Sequence, residues 1–177
     1  MKIFKNNLTR ESCRSEFQLS RERTGFHTFL KYLPPHMLDS FGDEIISDYE
    51  FDKMKNSEGT VYMIWSVVFA SPTEFLAKIT GILHQKLDCI DMKSVQSDAV
   101  CLNMNLAAEI LRFPQPNTNL LEKSLLYSIS AIGCDLMSIK NTAQNLFSTS
   151  IKILFKDSQT LGLFQNYGKI MVYDNSP

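Results

Sequence analysis

Residues 60–87 read TVYMIWSVVFASPTEFLAKITGILHQKL, and this stretch decides the predicted fold class. Alternate side chains in its first ten residues are large and apolar: Val61, Met63, Trp65, Val67 and Phe69. A period of two is typical of a β-strand, and the side chains between them are mostly apolar as well, which indicates a strand covered on both faces. We therefore expect a central strand over residues 60–69.

The second half of the stretch predicts a helix over residues 71–87. Ser71 is placed to accept hydrogen bonds from free backbone N–H groups, Pro72 suits the first helical position and Glu74 completes a capping box. A stripe that we expect to be buried follows at helical spacing: Phe75, Leu76, Ile79, Leu83 and Leu87. Gly81 inside this helix costs about 1 kcal/mol relative to alanine, so we expect close packing at that residue.

Further along the chain, residues 100–110 alternate between apolar and more polar side chains. Those predicted to share the inner face are Val100, Leu102, Met104, Leu106, Ala108 and Ile110. This pattern predicts a long strand of an antiparallel sheet with one solvated face. Residues 90–96 predict a short strand before it.

A second helix is expected over residues 120–132, with Thr118 or Asn119 as its cap and Gly133 as its stop. Its predicted buried stripe is Leu121, Leu125, Ile129 and Ile132. The preceding segment contains two prolines, at 114 and 116, which exclude a hydrogen-bonded β-strand there.

The C-terminal part predicts three short strands, over residues 151–155, 160–164 and 169–173. The predicted fold class is therefore α+β, an antiparallel sheet backed by two helices, arranged either as a simple sheet or as two helix-then-hairpin units. We expect two regions, a charge-segregated and partly ordered N-terminal segment over residues 1–58 and an α+β core domain over residues 59–177.

Composition is typical of one globular intracellular domain. The chain has 177 residues, with 44% hydrophobic and 21% charged side chains, which allows one ordinary core. It contains no run of about 18 apolar residues and no apolar N-terminal stretch of signal-peptide length, so we expect a cytoplasmic or nuclear protein without a transmembrane segment. Four cysteines without a CxxC pair predict buried free thiols.

Charge is divided unevenly over the first third of the chain. Residues 1–32 hold seven basic and three acidic side chains, and residues 33–60 hold seven acidic and two basic ones. The candidate binding residues lie in these blocks: Arg10, Arg14, Arg21, Arg23, Lys31, Tyr49 and Phe51. Basic residues interleaved with aromatic ones are typical of nucleic-acid or anionic-membrane contacts, although docking of this segment on the core or on the acidic block over residues 33–60 of the same chain fits as well.

Motifs that carry catalysis are not recognisable. The three histidines lack the i, i+4 spacing of a helical metal site, and no phosphate loop, dinucleotide fingerprint or nucleophile elbow occurs. No catalytic residue, metal or cofactor is therefore predicted. A cysteine and a histidine that meet only in space would still allow a small enzyme.

Residues 60 to about 146 resemble the kinase-associated domain KA1, a regulatory module of protein kinases. The resemblance rests on Ile64-Trp65-Ser66, on Ser71-Pro72-Thr73-Glu74, on Leu87-Asp88-Cys89 and on Ala108-Glu109-Ile110-Leu111-Arg112-Phe113-Pro114. Residues 150–158 are similar to a polo-box hairpin instead. Both resemblances imply a non-catalytic module that binds a partner.

The sequence thus favours a regulatory or scaffolding module that binds a protein partner or associates with itself. Twelve phenylalanines and eight methionines support this interpretation, because such a surplus often covers an interface. Two alternatives stay open, which are binding of nucleic acid or anionic lipid through the basic residues and a small enzyme with a cysteine site.

Overall fold

The fold consists of packed helices over the residues that the computed structural model describes, which are 25–54, 58–88, 97–114 and 116–156. Seven helices lie in these ranges: α1 over residues 25–31, α2 (Pro35–Glu50), α3 (Glu58–Ala70), α4 (Pro72–Asp88), α5 (Ser97–Leu111), α6 (Thr118–Ile132) and α7 (Met137–Lys156). No strand occurs in these residues. The predicted α+β class with its antiparallel sheet is therefore wrong, and the described fold is all-α.

Helix α5 is the centre of the bundle, because it contacts α3, α4, α6 and α7. Nine of its residues are buried, and a helix that is apolar on most sides needs neighbours on most sides. The strand predicted over residues 100–110 is wrong for this reason. Asn103 and Ala107, which belong to the face predicted to be solvated, are buried together with Met104 and Leu106.

Helix α3 replaces the central strand predicted over residues 60–69. Eight of its residues are buried, and a nearly continuous apolar run satisfies a period of two and a period of 3.6 equally well. The helical period is visible only in the residues that are less buried. Tyr62, Trp65 and Phe69 recur at i, i+3 and i+7, which places them on one face.

Both predicted helices are confirmed, as α4 and α6. At the start of α4 the Ser71 carbonyl accepts hydrogen bonds from the backbone N–H groups of Glu74 and Phe75, while the Glu74 carboxylate accepts from Lys78 Nζ at 2.6 Å. At the start of α6 the cap is Asn117, whose Oδ1 accepts from the Leu120 N–H at 3.0 Å. This cap lies one residue before Thr118 and two before Asn119, the two predicted positions.

The C-terminal strand predicted over residues 151–155 is wrong, because these residues continue α7. Ile139, Ala143, Leu146 and Ser150 are buried at steps of four, three and four residues, which is a helical spacing. No hairpin occurs in the described part of the chain, so the two predicted helix-then-hairpin units are also wrong. The strands predicted at 90–96, 160–164 and 169–173 lie outside the described residues.

Helices α1 and α2 contribute to the same core as the helices that follow them. Phe26 of α1 packs edge-on against Phe41 of α2, with ring centroids 6.1 Å apart. Gly42 lies against the fully buried ring of Phe75 in α4, and a Cβ at Gly42 would come within 2.3 Å of that ring. The close packing predicted at Gly81 is wrong, since nothing lies within 4 Å of a Cβ there.

A buried hydrogen bond joins α2 to the central helix. Tyr49 is only 2% exposed as a residue, and its hydroxyl donates a hydrogen bond to Oδ1 of Asn103 at 2.7 Å. Burial raises the pKa of Tyr49 well above its ordinary value, and the charge of Asp52 adds to the rise. The hydroxyl is therefore a fixed donor, and it satisfies a polar group that would otherwise be unpaired in the core.

Candidate functional site

A groove is lined by α3 and α5 on one side of the bundle. It has a volume of about 340 Å³, and its walls are Glu58, Val61, Tyr62, Trp65, Asn105 and Glu109. Pockets that hold drug-sized ligands in proteins have volumes of about 300–1,000 Å³. The groove is at the small end of this range, so it suits one side chain or a small group.

Aromatic rings build one wall of this groove. The ring centroids of Tyr62 and Trp65 are 5.7 Å apart, and Trp65 stacks on Phe69 at 5.0 Å with an interplanar angle of 21°. The half-buried His27 of α1 packs against the same row, 5.9 Å from Trp65 and 5.1 Å from Phe69. We call these four residues the aromatic row, and its contacts hold the indole of Trp65 in place.

The surroundings of His27 favour its neutral form. Burial lowers the pKa of His27 below its ordinary value of 6.5, and the positive charge of Lys31 lowers it further. Its buried Nδ1 forms no hydrogen bond with a described residue. The imidazole therefore acts in the aromatic row as a neutral ring.

Two carboxylates line the groove, one on each helix. Glu109 pairs with Arg112, which lies immediately after α5, and both side chains are partly exposed. Glu58 lies in the first turn of α3, where the helix dipole favours a negative charge. A carboxylate has about four lone-pair sites, so the pair with Arg112 leaves Glu109 with capacity for a second donor.

A second feature is an apolar surface where α6 meets α7. Four large apolar side chains are exposed there, namely Leu126 at 61%, Ile129 at 53%, Leu136 at 49% and Met137 at 67%. Leu126 and Ile129 share a face of α6 at i, i+3, and Leu136 and Met137 lie at the start of the next helix. We call these four residues the apolar corner.

The apolar corner exists because α6 buries small residues. Ser124, Ser128 and Ala131 recur at i, i+4 and i+7 and are fully buried, and small side chains allow helices to approach closely. Ser128 Oγ donates to the Leu125 carbonyl at 2.8 Å, which satisfies one hydroxyl inside its own helix. The face that carries Leu126 and Ile129 is consequently turned outward.

This orientation corrects the stripe predicted for the second helix. Leu121 is buried as predicted, whereas Leu125 and Ile132 are only half-buried and Ile129 is exposed. The helix was identified by the spacing of its large apolar residues, but its orientation follows the small ones. A search for serine and alanine at i, i+4 and i+7 would have indicated the buried face.

The predicted binding residues are only partly within the described ranges. Lys31 is exposed on α1, and Arg10, Arg14, Arg21 and Arg23 lie outside the described residues. Tyr49 is in the core, as described above, and Phe51 is exposed immediately after α2. The structure does not bring Tyr49 and Phe51 into one exposed surface, and their role in binding stays a prediction.

Acidic residues of the block over residues 33–60 make ion pairs with α4. Lys78 Nζ lies 2.9 Å from Asp43 Oδ1, and Lys86 Nζ lies 2.7 Å from Asp52 Oδ1. The aliphatic part of Lys86 is largely buried, and its Nζ lies 5.0 Å from the centroid of the Tyr49 ring. Part of this block is therefore used to attach α2 to the core.

The described cysteines and histidines do not converge on one place. Cys101 and Cys134 are free and half-buried, and Cys13 and Cys89 lie outside the described residues. His84 Nδ1 is 3.0 Å from Lys123 Nζ, which also pairs with Asp88. Within the described ranges, no group of three histidine, cysteine or acidic residues has a geometry that holds a metal.

Comparison of the chain with protein-family models, with curated proteins and with solved structures finds no match. The resemblance to KA1 and polo-box modules stays a prediction. Among the helices that the structure describes, none combines the length and the apolar character that crossing a bilayer requires.

Proposed function

We propose that this protein is a non-catalytic regulatory or scaffolding module that binds a protein partner through the apolar corner. The observation that supports this proposal is the exposure of Leu126, Ile129, Leu136 and Met137 within a span of twelve residues. Single exposed apolar residues are ordinary on protein surfaces, whereas a contiguous apolar patch marks an interaction site, and we propose that these four residues form one.

The corner has the shape that protein interfaces favour. Leu126 and Ile129 are exposed on α6, Met137 begins α7 and Leu136 immediately precedes it, so we propose that one partner contacts both helices. Leucine, isoleucine and methionine contribute apolar area without a charge that must be desolvated. Methionine also adapts its shape to a partner because its side chain is unbranched.

The packing beneath the corner supports the same proposal. Among the described helices, α6 and α7 pack most extensively against each other, so the exposed side chains belong to two helices that are held together by a shared buried face. A surface of this kind loses little conformational entropy of its backbone when a partner binds.

The test is affinity purification of the full chain from its native cell, combined with light scattering of the purified protein. We expect one specific partner or a stable oligomer with the wild type, and its loss with Leu126→Gln/Met137→Gln. The matched control is Met37→Gln, which changes another exposed methionine, on α2. A monomer that recovers no specific partner, or a complex that survives Leu126→Gln/Met137→Gln, would contradict the proposal.

A further inference from the structure

We infer that the groove between α3 and α5 binds an arginine side chain presented by a partner polypeptide. The groove lies on different helices from the apolar corner, so this inference goes beyond the proposed function. It rests on the aromatic wall of the groove, on its two carboxylates and on its size.

The aromatic wall suits a planar cation. Tyr62 and Trp65 both line the groove and both are half-buried, so part of each ring faces the open space. A guanidinium group stacks on aromatic rings, and the attraction between a cation and the ring is strongest for tryptophan. Because Phe69 and His27 pack against Trp65, the indole is already oriented before a ligand arrives.

The polar atoms of the groove match the donors of arginine. Glu58, Asn105 and Glu109 line the groove from two helices, and each side chain carries an oxygen that can accept a hydrogen bond. Arginine presents five N–H donors in a fixed plane and has no acceptor. Charge complementarity therefore selects a cationic side chain and disfavours an acidic one.

The size of the groove restricts the ligand to one side chain. A volume of about 340 Å³ with an open side receives a side chain from a polypeptide that stays at the surface, as in peptide recognition by pockets for individual side chains. The occupant to which we commit is an arginine of a partner polypeptide.

The test uses Trp65 as the reporter, because it is the single tryptophan of the chain. The full chain is titrated with the blocked peptide acetyl-Gly-Arg-Gly-Arg-Gly-amide while tryptophan fluorescence is followed, and calorimetry measures the same binding. The control peptide carries citrulline in place of arginine, which keeps the shape and removes the charge. We expect a saturable change with the arginine peptide that weakens with added salt, and none with the citrulline peptide.

Variants locate the binding in the groove. Glu109→Gln is expected to weaken binding by about threefold to tenfold, which corresponds to the loss of one charged contact at a partly exposed site. The matched control is Glu122→Gln, the same change at an exposed residue of α6, which is expected to bind like the wild type. Leu126→Gln/Met137→Gln is also expected to retain peptide binding, so failure of the proposed function and failure of this inference are distinguishable.

Three results would overturn the inference. The first is the absence of saturable binding of the arginine peptide to the wild type. The second is equal affinity for the wild type and Glu109→Gln, which would place the peptide elsewhere. The third is binding of the arginine peptide to Arg21→Gln/Arg23→Gln but not to the wild type. This result would identify the chain's own arginines, and not those of a partner, as the occupant of the groove.

Discussion

Helices α2 and α4 and the pair α6 and α7 use their apolar residues in opposite ways. Between α2 and α4 the packing is so close that Gly42 leaves no room for a Cβ beside the Phe75 ring. On α6 the buried positions include serine and alanine, while Leu126 and Ile129 face outward. Both regions bury large apolar side chains, but α6 and the start of α7 also leave several of them exposed.

The two regions also differ in how buried polar atoms are satisfied. Tyr49 donates to Asn103, whereas the hydroxyls of Ser124, Tyr127 and Ser150 form no hydrogen bond with a described residue. An unpaired buried polar group costs about 1–3 kcal/mol. The buried hydroxyl between α2 and α5 is therefore satisfied, whereas three buried hydroxyls of α6 and α7 lack a described partner.

The largest expected effect separates the two interior helical glycines. Gly42→Ala should lower the free energy of unfolding by about 1–3 kcal/mol, because the added methyl group overpacks a core in which the Phe75 ring has no exposed side. Gly81→Ala should raise it by about 1 kcal/mol, because nothing lies near its Cβ and alanine favours a helix. Urea unfolding of both variants measures the difference, and a gain in stability for Gly42→Ala would contradict the packing described for α2.

The two buried tyrosines provide the next comparison. Tyr49→Phe leaves the Asn103 amide unpaired in the core, so we expect a loss of about 1–2 kcal/mol. Tyr127→Phe removes a buried hydroxyl without a described partner, so we expect no loss and a gain of up to about 1 kcal/mol. Thermal or urea unfolding at neutral pH tests the pair, and equal losses would show that the two hydroxyls are equally satisfied.

Alkaline pH should separate the same two variants from the wild type. Burial raises the pKa of Tyr127 to about 12, and the neighbouring Cys101 and Cys134 thiols add to the rise. A tyrosine whose pKa is raised in the folded state stabilises the fold fully below its unfolded pKa of about 10, and this stability is lost as the pH rises above that value. We therefore expect the wild type to lose stability between about pH 10 and 12, and Tyr127→Phe to lose less.

Tyr49→Phe should also have a shallower alkaline loss, because burial raises the pKa of Tyr49 in the same direction. Stability measured as a function of pH tests both expectations. Superimposable curves for the wild type and the two variants would contradict the burial of these hydroxyls.

The smallest expected effect concerns the apolar corner. Leu126→Gln and Ile129→Gln should change the free energy of unfolding by less than about 0.5 kcal/mol, because both side chains are largely exposed. Leu121→Gln on the same helix is the control, and its buried side chain should make that variant clearly less stable. A large loss for Leu126→Gln would mean that this side chain is packed inside the fold.

Sequence patterns identified two helices correctly because their signals did not depend on tertiary contacts. Pro72 marks the start of α4 and Gly133 marks the end of α6. Within each of these two helices, the large apolar residues recur at helical spacing. Residues 60–69 and 100–110 were assigned to strands because a helix buried on nearly all sides has no polar face to reveal its period. Their burial depends on neighbours that the local pattern does not contain.

The candidate sites were hidden for a related reason. Trp65 appeared as one member of a strand, so its i, i+3, i+7 relation to Tyr62 and Phe69 went unrecognised, and the carboxylate of Glu109 on another helix is brought to it only by the fold. Ile129 was assigned to the buried face because large apolar residues were weighted above serine and alanine. For this reason the sequence pattern did not predict the apolar corner.

Site-specific photo-crosslinking in the native cell shows whether the helical core binds a protein partner through its apolar corner. A photoreactive phenylalanine analogue is placed at position 129 of the full chain and, for comparison, at position 37 on α2. We expect one prominent protein adduct from position 129 that is lost with Met137→Gln and is not formed from position 37. The same adducts from both positions, or none from position 129, would contradict binding through the apolar corner.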